Sequence, residues 1–344
     1  MTAFKPNGLP TAIGSMPNLD AGEALNVVLK YLPDIPVWPQ LPKRSFLENM
    51  YVQFSEGFPG VVLDHEKERI YIDQSKNLDN QLEHLYQAHI DNDVDKYPLT
   101  GNYAVGFEEF INDGISSPVA VKGQVIGPIS WGLAVTDQSR RSIIYDDVLS
   151  DAIAKHLKLK AAWQERELCK LSENTVFFLD EPYLSSLGSA FVAISNEKVK
   201  EMIDEVLSGI SGLKGIHCCG VTDWSLLLNT TIDILSFDAY NYAQSLSLYP
   251  DDIEPFLNRG GIIAWGIVPT VEDVLKEETV ESLLGRLDDA FSMLTNKGIA
   301  LDALTQGCII TPSCGLAPIS KEAAYTALKL TSGVSKLFRK RYNK

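Results

Sequence analysis

Eight short apolar runs, rich in β-branched residues and separated by longer amphipathic segments, constrain the fold of this chain most. The runs lie at 9–14, 35–38, 119–125, 175–179, 214–218, 233–237, 261–265 and 308–311. Helical patterns follow most of them, at 19–32, 141–172, 194–209, 271–295 and 320–333. Strands that alternate with helices form parallel sheets, and eight such units predict a single (β/α)8 TIM barrel of the α/β class. An open doubly wound sheet is the alternative.

Residues 39–118 do not follow this alternation. They contain a hairpin pattern at 61–73 and a helical stretch near 78–92. We therefore predict an insertion between strands 2 and 3 that caps the barrel. Because we find no internal repeat and no low-complexity linker, we expect residues 1–344 to form one catalytic domain.

Charge and composition exclude several classes of protein. The net charge of −15 argues against nucleic-acid binding, because a phosphate backbone needs a basic surface. No apolar run reaches about 18 residues, so we predict no membrane span. The first residues lack the pattern of a secretion signal, and we expect a cytoplasmic protein. The five cysteines are an odd number, which makes a disulfide framework a poor explanation for them.

Polar clusters follow the predicted strands at their C-terminal ends, where barrels of this kind carry their active sites. The clusters are Gly14-Ser15, Lys122-Gly123-Gln124, Asp180-Glu181-Pro182, His217-Cys218-Cys219-Gly220, Asp238 and Thr311-Pro312-Ser313-Cys314-Gly315. Their convergence on one rim predicts a functional site there.

The cysteine and histidine residues of this set predict a zinc site. His217 and Cys219 are two residues apart at a strand end, so both point to the same side. Cys314 is expected to complete the site, with Asp238 as an oxygen ligand, in a tetrahedral arrangement that zinc favours. The alternative is that the thiols are buried small hydrophobic groups, and Cys218 competes with Cys219 as the ligand. Zinc coordination deprotonates a thiol, and the thiolate is the nucleophile.

Two further motifs fit the ends of an amino acid. Either carboxylate of Asp180-Glu181 could hold an ammonium group, although the same pair suits the cap of the following helix. Gly14 and Ser15 can offer backbone N–H groups and a hydroxyl to a carboxylate.

In this order, the motifs resemble the catalytic barrel of the cobalamin-independent methionine synthases. The matching segments are IGSMP (13–17), KGQVIGP (122–128), LDEP (179–182), HCC (217–219) and PSCGL (312–316). That superfamily of (β/α)8 barrels includes uroporphyrinogen decarboxylases and corrinoid-dependent thiol methyltransferases. The resemblance implies zinc ligation by His217, Cys219 and Cys314, with Asp238 in place of the family's glutamate. It also implies that Ser15 binds the carboxylate of homocysteine and Asp180 its amino group.

The chain departs from that family in ways that bear on the methyl donor. It has about half the family's length, and AWGIVPT (264–270) lacks the histidine thought to assist a folate leaving group. The segment 38–49 replaces a His-Gly-Glu motif, leaving Glu48 as a substitute contact to the amino group. We therefore expect the methyl group to come from a methylcorrinoid, methylcobalamin on a corrinoid protein, and to pass to homocysteine to give methionine.

Three other hypotheses compete with methyl transfer from a methylcorrinoid to homocysteine. A different thiol such as coenzyme M could be the acceptor, but it lacks the ammonium group that Asp180 suits. A tetrapyrrole decarboxylase would need more basic residues than Lys43, Arg44 and Lys122, and would not explain the His/Cys set. A non-catalytic corrinoid- or thiol-binding module is the third.

Overall fold

The computed structural model describes residues 4–112, 115–189 and 192–343. Its strands are β1 (Leu9–Pro10), β2 (Val61–Asp64), β3 (Arg69–Ile72), β4 (Val121–Ile126), β5 (Thr136–Asp137), β6 (Thr175–Asp180), β7 (Leu213–Cys218), β8 (Ile234–Phe237), β9 (Ile262–Val268) and β10 (Cys308–Pro312). Seven of them form one curled parallel sheet in the order β1-β10-β9-β8-β7-β6-β4. The fold is therefore α/β and TIM-barrel-like.

The helices of the described residues flank this sheet. They are α1 (Ala21–Tyr31), α2 (Asp79–Asp91), α3 (Val105–Asn112), α4 (Pro128–Ala134), α5 (Asp147–Leu168), α6 (Asn196–Leu207), α7 (Trp224–Leu228), α8 (Ala239–Leu246), α9 (Pro250–Asn258), α10 (Glu272–Glu277), α11 (Val280–Thr295), α12 (Leu301–Gln306) and α13 (Lys321–Tyr342). The helix predicted over 271–295 is two helices, because Thr279 starts α11 with a capping box. No helix in this part of the chain is long and apolar enough to cross a membrane.

Seven of the eight predicted runs coincide with strands of the main sheet, and the run at 35–38 does not. It makes isolated parallel bridges instead, Val37 to Lys122 and, just beyond the run, Gln40 to Ser15. Pro36 lies within this run and Pro39 follows it, and both lack the N–H that a continuous ladder requires. The eighth predicted strand is thus reduced to single bridges between the regions of β1 and β4.

The segment 39–118 forms the hairpin and the helix expected of it. The hairpin is β2 and β3, and with β5 it makes a separate three-stranded sheet. The predicted helix near 78–92 is α2, which packs against α5. The indole of Trp131 in α4 donates to the backbone oxygen of Tyr51, which ties this segment to the main sheet's helices.

The two faces of the main sheet carry different apolar clusters. A large cluster joins the helices to one face, and Ile216 and Cys218 of β7 belong to it. A smaller cluster lines the other, concave face and includes Leu9, Phe178 and Ile309. Because strand side chains alternate, His217 and Asp180 lie on the concave face, beyond this apolar floor. The candidate site is built there.

Candidate functional site

The donor atoms of His217, Cys219 and Cys314 form one compact group. One ligand atom from each residue lies within 4.8 Å of the other two. The three residues lie at the C-terminal ends of β7 and β10, which is where parallel sheets of this type place their sites. Among the described residues, no other group of three or more His, Cys, Asp or Glu side chains meets the same geometry.

The imidazole of His217 is oriented for coordination. Its Nδ1 lies 3.0 Å from Oγ of Ser236 on the neighbouring strand β8. Its Nε2 is buried and has no hydrogen-bond partner among the described residues. Metal-ligating histidines use the second ring nitrogen in this way to fix the ring. One imidazole and two thiols that leave a fourth position open are a donor set suited to catalytic zinc.

The two adjacent cysteines have different surroundings. Cys314, and secondarily His217, hold the pKa of the Cys219 thiol down at about 4, and the same contact raises the pKa of Cys314. Burial raises the pKa of Cys218 to about 12, and its thiol faces Gly220 O at 3.5 Å. Cys218 packs in the helix-side core, so it lies outside the donor group.

Asp238 lies near this group but not in it. Its carboxylate caps α8 by accepting hydrogen bonds from the backbone N–H of Asn241 at 3.0 Å and from its side-chain Nδ2 at 2.7 Å. Burial raises the pKa of Asp238, while the charge of His217 lowers it. Asp238 is therefore close enough to His217 and Cys219 to interact with them electrostatically, while its oxygens accept hydrogen bonds from Asn241.

The two carboxylates of the Asp180-Glu181 motif divide the roles between them. Glu181 accepts from the backbone N–H of Ile129 at 2.9 Å, and from the N–H and hydroxyl of Ser130 at 2.8 and 2.6 Å, so it caps α4. Asp180 is buried on the concave face, and its Oδ1 has no hydrogen-bond partner among the described residues. Burial raises the pKa of Asp180 to about 6, opposed by Lys122 and His217. The inward carboxylate is therefore Asp180.

Gly14 and Ser15 lie beside the loop that carries Cys314. Gly14 has φ +143°, and a Cβ there would lie 2.6 Å from Nε2 of Gln124, so the position requires glycine. A Cβ on Gly315 would meet Ser15 Oγ at 2.2 Å, which places that hydroxyl against the residue after Cys314. None of the described hydrogen bonds uses the N–H of Gly14 or Ser15. Free N–H groups at such a bend suit an anion.

Glu48 is buried, but its contacts lead away from the donor group. Arg44 pairs with its Oε1, and its Oε2 has no hydrogen-bond partner among the described residues. Burial raises its pKa. Among the described residues, no hydrogen bond joins Glu48 to Asp180 or to the donor group.

The sequence analysis placed Lys122 in one of the polar clusters of the rim without a specific role, and it did not single out Tyr51. Lys122 is fully buried on the concave face, and burial lowers its pKa to about 7. The alternation of 121–126 indicates its inward direction, since apolar Val121 and Val125 lie on the opposite face from Lys122 and Gln124. Tyr51 comes from the irregular segment 39–118, and no pattern pointed to it. Burial raises its pKa to about 12, with Tyr183 and Cys219 contributing.

The known proteins that are similar to this chain include a methionine synthase. No known family profile matches the chain. The chain is 25% identical over 262 residues to the methionine synthase of Methanocaldococcus jannaschii, covering 71% of this chain and 78% of that protein. The chain is therefore similar to a methionine synthase over 71% of its length.

Solved structures share the fold of this chain. A B12-independent methionine synthase from Shewanella sp. W3-18-1, in complex with selenomethionine, superposes with a TM-score of 0.57 at 14% identity, covering 97% of this chain and 98% of the other. A methyltransferase from Methanosarcina mazei gives a TM-score of 0.55 at 11% identity, with 98% and 95% covered. At these identities the likeness concerns the fold alone.

Proposed function

We propose that this chain is a zinc-dependent methyltransferase that converts homocysteine to methionine. The observation that carries the proposal is the compact group of His217, Cys219 and Cys314, in which His217 Nε2 is buried and free of a hydrogen-bond partner. Zinc bound there would hold the acceptor thiol as the thiolate, which is the nucleophile for methyl transfer. The methionine synthase relative supports a homocysteine-type acceptor.

The residues around the group divide the acceptor between them. Asp180, buried and with a free Oδ1, accepts hydrogen bonds from the ammonium group. Gly14 and Ser15 offer N–H groups to the carboxylate on the side of Cys314. An acceptor held at both ends presents its thiol to the His/Cys group, and the apolar floor below excludes water. The alternative acceptor, a thiol such as coenzyme M, gives Asp180 no ammonium group to hold.

Asp238 is the fourth protein ligand of this proposal when no acceptor is bound. Its carboxylate interacts electrostatically with His217 and Cys219. To bind the metal, it would have to give up its hydrogen bond with Asn241. The acceptor thiol would then take its place, since catalytic zinc sites keep one position for substrate.

The donor we propose is a methylcorrinoid carried by a corrinoid protein. Its support is the sequence AWGIVPT (264–270), which offers no histidine to protonate a folate leaving group, whereas methyl transfer from cobalt needs no such proton. The Shewanella enzyme is named B12-independent, which argues against a corrinoid donor. Methylcobalamin and methyltetrahydrofolate, assayed side by side, separate the two.

The complete barrel is part of the same proposal. The stretch 35–40 takes the eighth position of the barrel, supported by its bridges to Lys122 and Ser15. The segment 39–118 caps the C-terminal rim, supported by the ring of Tyr51, which stacks edge-on with Tyr183 at 6.4 Å near Cys219. Glu48 lies in this cap and is the second candidate contact for the ammonium group.

The decisive experiment measures zinc per chain and methionine formed. We expect about one zinc per chain, retained against a chelator, and methionine from homocysteine with one of the two donors. Cys314→Ser should lose both zinc and activity and keep its circular dichroism spectrum. A folded wild-type chain that binds no zinc, or Cys314→Ser with unchanged turnover, would overturn the proposal. Activity that appears only with a protein partner would indicate the corrinoid-protein donor.

A further inference from the structure

Lys122 is fully buried in the concave face of the main sheet. Its Nζ donates to the backbone oxygen of Ile13 at 2.7 Å and to Oε1 of Gln124 at 3.3 Å. The ammonium also stands 4.3 Å from the ring centre of Phe178. A lysine ammonium has three N–H donors, and the two hydrogen bonds and the ring contact together occupy all three.

The bond to Ile13 acts on one particular peptide group. The carbonyl of Ile13 and the N–H of Gly14 belong to the same planar unit, and in a trans peptide they point in opposite directions. By holding the carbonyl, Lys122 fixes the direction in which the N–H of Gly14 points. It also polarises that peptide, which strengthens the N–H as a donor.

Gln124 holds the same bend from the side. Its Nε2 donates to the backbone oxygen of Trp38 at 3.2 Å and lies 2.6 Å from the position that a Cβ of residue 14 would take. Its backbone is clamped in turn by Gln164, whose side chain bonds both the N–H and the oxygen of Gln124 at 3.1 Å. The peptide of residues 13 and 14 is thus set by buried side chains and not by a strand ladder.

The far end of the bend is joined to the loop of the donor group. Leu316 N–H donates to the backbone oxygen of Ser15 at 2.9 Å, and Ala317 N–H lies 3.4 Å from its hydroxyl. The peptide that Lys122 orients therefore lies within a few residues of Cys314.

We propose that Lys122 is a positioning residue that aims the N–H of Gly14 at the carboxylate of the acceptor and thereby selects thiols that carry a carboxylate. This inference rests on the proposed function, since it needs an amino-acid thiol at the His/Cys group. Lys122 does not touch the acceptor; it acts through the peptide of residues 13 and 14.

The test compares Lys122→Met with Lys160→Met. Lys160 is the matched control, because it is also a buried lysine whose ammonium donates to a backbone oxygen, that of Pro98 at 2.6 Å, on the helix α5. Binding is measured by calorimetry on the zinc-loaded proteins, with homocysteine and with 3-aminopropanethiol, which keeps the thiol and ammonium but lacks the carboxylate. kcat and KM for homocysteine are measured in parallel.

We expect Lys122→Met to bind homocysteine about tenfold more weakly, the scale of one lost hydrogen bond. The charge of Lys122 also acts on Asp180, and an effect through Asp180 is common to both acceptors. Affinity for 3-aminopropanethiol should therefore fall clearly less than affinity for homocysteine, and the loss in turnover should appear in KM rather than kcat. Lys160→Met should change neither affinity. If Lys122→Met does not fold, Lys122→Gln undergoes the same comparison. Its amide nitrogen ends one bond short of the Nζ position, so we expect a selective loss for homocysteine in the same direction but smaller.

Equal losses for both acceptors, or no loss for either, would overturn the positioning role. The proposed function fails in a distinguishable way, because the folded wild-type chain would then bind neither zinc nor homocysteine. A wild type that binds homocysteine together with a Lys122→Met variant that binds it as tightly contradicts only the role of Lys122.

Discussion

Asp180 and His217 are register partners on the adjacent parallel strands β6 and β7. Each leaves one buried side-chain atom without a hydrogen-bond partner among the described residues, Oδ1 of Asp180 and Nε2 of His217. Buried polar atoms are rarely left unpaired, because each costs about 1–3 kcal/mol. These two atoms suit a ligand that donates a hydrogen bond to Asp180 Oδ1 and is bound by a metal that His217 Nε2 coordinates.

Serine substitutions at the two adjacent cysteines should have different effects. We expect Cys219→Ser to lose its zinc and its activity, because its sulfur is in the donor group. Cys218→Ser should keep about one zinc per chain and lose about 1–3 kcal/mol of unfolding free energy, because its hydroxyl enters the helix-side core. Elemental analysis and urea unfolding measure the two effects. If Cys218→Ser lost its zinc and Cys219→Ser kept it, Cys218 would be the metal ligand and Cys219 would not.

Asp180→Asn should weaken binding of the acceptor and leave zinc in place. Losing one charge-assisted hydrogen bond of roughly 1.5–3 kcal/mol predicts a KM for homocysteine roughly 10- to 150-fold higher. Steady-state kinetics at saturating methyl donor measure this, together with zinc content.

The neighbouring Glu181→Gln is the control for that variant. Its carboxylate accepts three hydrogen bonds at the start of α4, so the amide would turn an N–H toward a donor. We expect a loss of about 1–3 kcal/mol in unfolding free energy and little change in KM. If both variants raised KM equally, Asp180 would have no special contact with the acceptor.

Asp238→Asn tests the fourth ligand while keeping the helix cap, because asparagine caps a helix as well as aspartate does. We expect zinc affinity to fall by about 10- to 100-fold, less than in Cys219→Ser, since the carboxylate supports the metal without belonging to the compact group. Competition with a chromophoric chelator measures the affinity. Unchanged affinity would show that His217, Cys219 and Cys314 hold the metal alone.

Much of the fold was readable from sequence because parallel strands covered on both faces are continuous apolar runs. Every residue of β4 and β6 is buried, including Lys122 and Asp180, and the apolar neighbours dominate the pattern. The stretch 35–38 is equally apolar, but Pro36 within it and Pro39 after it leave single bridges where a strand ladder was expected. An apolar pattern predicts that a segment is buried, whereas a ladder also requires a backbone N–H at each hydrogen-bonding position.

The site was readable only where alternation decides it. A spacing of two residues put His217 and Cys219 on one side, and their ligand atoms do lie together. The division of labour between Asp180 and Glu181 depends on where the N-terminus of α4 lies, which no local pattern gives. Lys122 and Tyr51 depend on contacts with Ile13 and Tyr183, far away in sequence.

The buried His156 of α5 should make the protein less stable in mild acid. Its Nε2 bonds the backbone oxygen of Phe54 at 2.7 Å, and the rings of Phe58, Tyr97 and Trp131 surround it. Burial lowers its pKa to about 3, against about 6.5 in the unfolded chain. Below about pH 6.5, His156 is protonated in the unfolded chain but stays neutral in the folded protein. The free energy of unfolding therefore falls as the pH drops toward 3.

His156→Gln keeps a donor for Phe54 and removes the titrating group. Between about pH 7.5 and pH 5 the wild type should lose about 2 kcal/mol more unfolding free energy than this variant does. Urea unfolding at the two pH values measures the difference, and the carboxylates common to both proteins cancel in the comparison. If the two proteins lost stability equally, His156 would take its proton as readily in the folded protein as in the unfolded chain. The surrounding rings of Phe58, Tyr97 and Trp131 would then not disfavour the charged imidazolium.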